Sequence, residues 1–259
     1  MSVRKRARNR RLNPATKPYL GSIDSQLAHF AANCASILIM RNRLIGLAAA
    51  SIIATLVAPG LSAAKIVEVG DVGSAVKPTC PRVKKGCYAV SRATVYQSAV
   101  GTNKAPMVVP ASGRLVAWSV RLGTPATYDR KWFDKNAGGV SQAQLTVLKR
   151  VKTGGARVYR QTTPVKLQKY FGKTPQFALK TSLYVTKGQI LALTVPTWAP
   201  VLAYGFDSSM SWKASRGKGQ CTSDLLIPHE LIKIDAFSSF HCRYPNSRIA
   251  FSATVIPTP

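Results

Sequence analysis

Acidic side chains are scarce in this chain of 259 residues: 9 Asp and Glu stand against 37 Lys and Arg, for a net charge of +28. Little is left for chemistry that runs on carboxylate clusters, and no D-x-[DN]-x-[DN]-G calcium loop occurs. Histidine is scarcer still, with 3 in the chain. His229-Glu230 fails as a zinc-protease helix because Lys233 stands where the second histidine ligand belongs. The absence of C-x2-C removes zinc knuckles, and the absence of G-x-S-x-G removes the nucleophile elbow. Gly205-Phe206-Asp207-Ser208-Ser209 comes nearest to that elbow and reads as a turn. In Gly172-Lys173-Thr174, the end of a phosphate loop is spoiled by Leu167 at the place of the first glycine. The apolar stretch at residues 44–58 falls short of the roughly 20 residues a transmembrane helix needs. Neither a metal nor another cofactor is expected, and no repeat of constant period is found.

What is present is divided by composition. Residues 1–39 open with Arg4, Lys5, Arg6, Arg8, Arg10 and Arg11, meet helix-breaking Asn13 and Pro14, and show no sustained apolar periodicity. They read as a solvated basic arm. Tyr19 and Phe30 are the aromatics interleaved with those arginines, too few for a specific nucleic-acid surface. Met40, Arg41 and Arg43 then precede an uncharged stretch at residues 44–58, which Pro59-Gly60 breaks before Ser62-Ala63-Ala64. This is the layout of a bacterial export signal, with cleavage expected after Ala64. A retained anchor is the alternative. Residues 1–39 are then either an unusually long n-region or an upstream extension of a chain that starts at Met40.

Cleavage after Ala64 removes nine basic residues and Asp24, leaving a net charge of about +20. Such a charge draws a protein toward anionic polymers, including acidic polysaccharide and other polymers of the cell envelope. Cys34 leaves with the first segment, and Cys80, Cys87, Cys221 and Cys242 remain. An even number suits an oxidising compartment, and proximity favours Cys80 with Cys87 and Cys221 with Cys242.

From residue 65 onward the dominant pattern has period two. At 115–122, Val116, Trp118, Val120 and Leu122 point one way, while Ala117, Ser119 and Arg121 point the other. Alternation returns at Ala143, Leu145 and Val147; at Leu183 and Val185; at Leu191, Leu193 and Val195; and at Ile249, Phe251, Ala253 and Val255. Weaker candidates lie at 66–69, 89–97, 158–161, 177–180, 201–204 and 211–214. No capped helical stripe stands out, although 225–237 has room for one helical turn. About ten short strands without intervening helices predict an all-β, antiparallel sandwich of jelly-roll type across 65–259.

Trp198, held between Pro196 and Pro200, is the most distinctive residue. It is either a fixed indole on which a sugar ring stacks or a plug for the end of the core. Trp132, Tyr128 and Tyr170 extend the first reading, with Arg130, Lys131 and Lys169 beside them to meet acidic groups. Asp129 and Asp134 flank Trp132 and Phe133 in what reads as a long loop, the nearest thing to a glycosidase carboxylate pair. Three functions remain open. The first is an exported or envelope-associated module that binds anionic polymer or carbohydrate without turnover. The others are an exported hydrolase of polysaccharide or lipid, and a structural module of a surface assembly.

Overall fold

The computed structural model describes residues 65–73, 76–80, 87–152, 154–221 and 233–258. The basic arm, the export signal, the cleavage point at Ala64 and most of 225–237 lie outside the described residues. Residues 60–259 form one compact unit.

The strands are β1 (Val67–Asp71), β2 (Val90–Ala99), β3 (Gly113–Val120), β4 (Gln142–Arg150), β5 (Ala156–Gln161), β6 (Val165–Lys166) and β7 (Gln176–Val185). They continue with β8 (Ile190–Ala199), β9 (Leu202–Tyr204), β10 (Ser211–Ala214), β11 (Phe237–Ser238), β12 (Cys242–Pro245), β13 (Ser247–Ile249) and β14 (Phe251–Pro257). One sheet runs β1-β14-β3-β7 and the other β11-β5-β4-β8-β2-β10-β12, while β13 pairs with β9. The antiparallel pairs nest: β4 with β5, β3 with β7 around them, β2 with β8 around those, and β1 with β14 outermost. Pairing β14 with β3 and β8 with β4 knits the nest into two sheets. That is jelly-roll topology.

The two sheets share one apolar core. Val69, Leu115, Trp118, Val120, Phe251, Ala253 and Val255 from the smaller sheet meet Val95, Ala143, Leu145, Val147, Leu191, Leu193 and Val195 from the larger. The expected inward sets at 143–147, 191–195 and 249–255 all reach this core. Strand β8 is also buried on its other face. There Thr94 and Thr146 each place a hydroxyl 2.6 Å from that of Thr194, so three buried polar groups satisfy one another across three strands.

Two expectations are corrected. Strict alternation put Val116 inside, but Leu115 is fully buried and Val116 only partly so. A β-bulge explains the exchange. Leu115 pairs with Val255 and Ala117 with Thr254, so β3 spends an extra residue, Val116, where β14 spends none, and the phase slips. The supposed loop around Trp132 is a helix, α1 (Thr127–Asn136). The carboxylate of Asp129 accepts the Ala126 N–H at 3.2 Å and closes its first turn. Phe133 is the buried residue of this helix, so no apolar stripe announces it.

Both disulfides are formed, Cys80–Cys87 and Cys221–Cys242, as an oxidising environment allows. Among the described residues no helix is long and apolar enough to cross a membrane.

Candidate functional site

Trp198 is fully buried. Phe133 stacks on its ring at 4.9 Å between centroids, Phe171 packs against it at 5.6 Å, and its indole N–H donates to Asp134 at 2.8 Å. Ser141 donates to its carbonyl at 2.8 Å. An indole so enclosed offers no face to a sugar, and Trp198 instead plugs a small cluster of its own with Ala89, Phe133 and Ala137, apart from the core between the sheets. The carboxylates expected to pair are separately engaged, Asp129 with the start of α1 and Asp134 with the indole.

The remaining expected residues flank this plug in two sets. Tyr128, Arg130, Lys131 and Trp132 lie exposed on α1. Lys169 and Tyr170 belong to a 3-10 turn at Gln168–Tyr170, where Tyr170 meets Phe177 edge-on at 5.1 Å and Lys169 Nζ sits 4.9 Å from the Tyr170 ring centre. Phe133 and Phe171, each next in sequence to a member of one set, both touch Trp198. Each set thus has a member one residue along the chain from a ring that packs on the same indole.

Sequence reading missed a separate aromatic cleft. Tyr88, Tyr204, Trp212 and Tyr244 line a cavity of about 110 Å³, together with Ala93, Val95, Leu202, Ala214 and Arg216. Strand pairing builds half of it: Trp212 and Tyr244 sit directly opposite across β10 and β12 and stack at 4.2 Å. The indole N–H of Trp212 donates to Ser247 at 2.9 Å, and Arg216 donates to the Tyr244 hydroxyl at 3.0 Å. Two loops build the other half. Tyr88 follows the Cys80–Cys87 bridge and is pinned by Thr79, whose hydroxyl accepts the Tyr88 N–H and donates to its carbonyl, both at 3.1 Å. Tyr204 ends β9 and meets Tyr88 edge-on at 5.2 Å. Both rings are exposed, at 59% and 48%. Burial, and next the nearby hydroxyls of Tyr88 and Tyr244, push the Tyr204 phenol above the usual tyrosine range, so it remains a neutral hydrogen-bonding group at ordinary pH.

Such a cleft can hold one ring-sized group between aromatic walls, within reach of phenolic hydroxyls. An engineered cavity of about 150 Å³ takes a benzene, which sets the scale. The described lining of the cleft includes no carboxylate and no histidine. Signals for it were faint, because Trp212 and Tyr244 become neighbours only once β10 and β12 pair.

The nucleophile-like segment at 205–209 is a turn, with the Asp207 carboxylate accepting the N–H and hydroxyl of Ser209. Those bonds hold the Asp207 carboxyl below its usual range. Among the described residues no group of three or more His, Cys, Asp or Glu is placed to hold a metal. No protein family, no curated protein and no solved structure matches the chain.

Proposed function

We propose that the chain is an exported, envelope-associated binding module that works without turnover, its aromatic cleft holding one ring of a carbohydrate or anionic polymer. The observation that carries this reading is the convergence of Tyr88, Tyr204, Trp212 and Tyr244 on one ring-sized cavity. Aromatic faces stack on flat rings, and phenols supply the hydrogen bonds that orient them.

Charge supports the polymeric, anionic part of the proposal. Lys149 and Arg157 stand directly opposite on β4 and β5, both exposed, and Arg150 and Arg160 extend the cationic surface. Like charges facing across strands destabilise a sheet, so an anionic partner at this surface relieves a cost.

The edges of the sheets favour binding over assembly by strand addition. Strand β7 has an irregularity of its own at residues 179–182 and the exposed Lys180, β12 is short and ends at Pro245, and β1 includes Glu68 and Asp71. Each device blunts an edge against pairing with another chain.

Titration with polygalacturonate and with a neutral β-glucan, followed by calorimetry, tests the proposal. Binding of at least one polymer is expected, weakened about tenfold by Tyr204→Ala or Tyr88→Ala in a folded protein. Wild-type affinity in both variants, or no binding to either polymer, overturns the cleft as the site.

A further inference from the structure

We infer that α1 docks on an anionic lipid surface, independently of the cleft. In a helix, residues four apart share a face, so Tyr128 lies beside Trp132 and Lys131 beside Lys135, and the two rows adjoin. All four are exposed, Tyr128 at 77% and Trp132 at 38%. The acids of the helix are turned to internal use: Asp129 accepts the Ala126 N–H, and Asp134 accepts the Trp198 indole. Phe133 faces inward against Trp198. The outward row is thus purely aromatic and cationic.

That division fits one partner chemistry. Tyr and Trp rings settle at the headgroup level of a bilayer, where an apolar body and a polar tip are both accommodated. Lysine stems lie along the same level while their ammonium groups meet anionic headgroups. A sugar platform is a poorer fit, because Tyr128 and Trp132 project outward from a convex helix, whereas the rings of the cleft line a cavity. A ten-residue helix is about 15 Å long, enough to lie in the interface and too short to cross it.

The test uses protein beginning at Gly60, the compact unit that carries both sheets and both disulfides. It is sedimented with vesicles of phosphatidylcholine alone and of phosphatidylcholine with phosphatidylglycerol, at low and high salt. Partitioning onto the anionic vesicles is expected, weakened by salt. It should fall by about tenfold or more in Tyr128→Ala/Trp132→Ala and in Lys131→Glu/Lys135→Glu. Trp132 emission should shift to the blue on binding. Thermal unfolding checks that the variants fold, and Tyr88→Ala should partition as the wild type does. Equal binding to both vesicle types, or wild-type binding by both α1 variants, overturns the inference. Loss of polygalacturonate binding by the α1 variants with vesicle binding intact also overturns it and returns the helix to the polymer.

Discussion

Trp132, Trp198 and Trp212 occupy three environments, and environment decides what each can do. Trp198 has ring neighbours and a carboxylate partner for its N–H, so it holds α1 against β8 in a small cluster of its own. Trp212 presents a cleft wall, and Trp132 stands in solvent. Tyr204 is the residue whose environment is most open to measurement. Its phenol is raised above the ordinary tyrosine value of 10.0, chiefly by burial, so the folded state holds this proton more tightly than the unfolded chain does. Its stabilising contribution is fully present below pH 10.0 and is lost as pH rises through the folded-state value. Near-ultraviolet titration should therefore show a late-ionising phenol that Tyr204→Phe removes. The same substitution should lessen the fall in stability above pH 10.0. An unchanged titration curve in the variant would contradict the assignment. Tyr96 is raised for the same reason, with Arg150 opposing, and serves as an internal control.

Among the elements, the long alternating strands were readable from sequence because their periodicity coincides with burial. Leu145, Leu193, Phe251 and Val255 illustrate this. Alternation cannot report an insertion, which is why the β3 bulge exchanged Val116 for Leu115. The bulge makes a sharp forecast. Leu115→Ala should cost about 2–5 kcal/mol, while Val116→Ala, one residue away, should cost well under half as much; urea unfolding of both measures the difference. Equal costs would place the bulge elsewhere. Helix α1 escaped notice because it buries a single ring, Phe133, and a helix that short is held by tertiary contact rather than by its own pattern. Of the expected binding residues, the α1 set is exposed and Trp198 is buried. The aromatic cleft was illegible because Tyr88, Tyr204, Trp212 and Tyr244 come from separate strands and a loop and are assembled by pairing and by a disulfide.

For the molecule as a whole, the two disulfides agree with an oxidising setting. Intact mass of protein recovered from the culture medium should show a chain starting at Lys65 with no alkylatable thiol, and an uncleaved chain with free thiols would sink the export reading. Opening Cys221–Cys242 by Cys→Ser at both positions should lower unfolding free energy by roughly 3 kcal/mol in denaturant, since that bridge closes the longer loop. The nested pairing also sets an order of events. Strand β14 lies between β1 and β3, so the smaller sheet lacks its second strand until residues 251–257 arrive. A partner for β1 comes from the far end of the sequence, so its contacts close only after nearly the whole chain has emerged. The domain is thus kept from finishing its fold early, and the position of β14 in the chain sets the length of that delay.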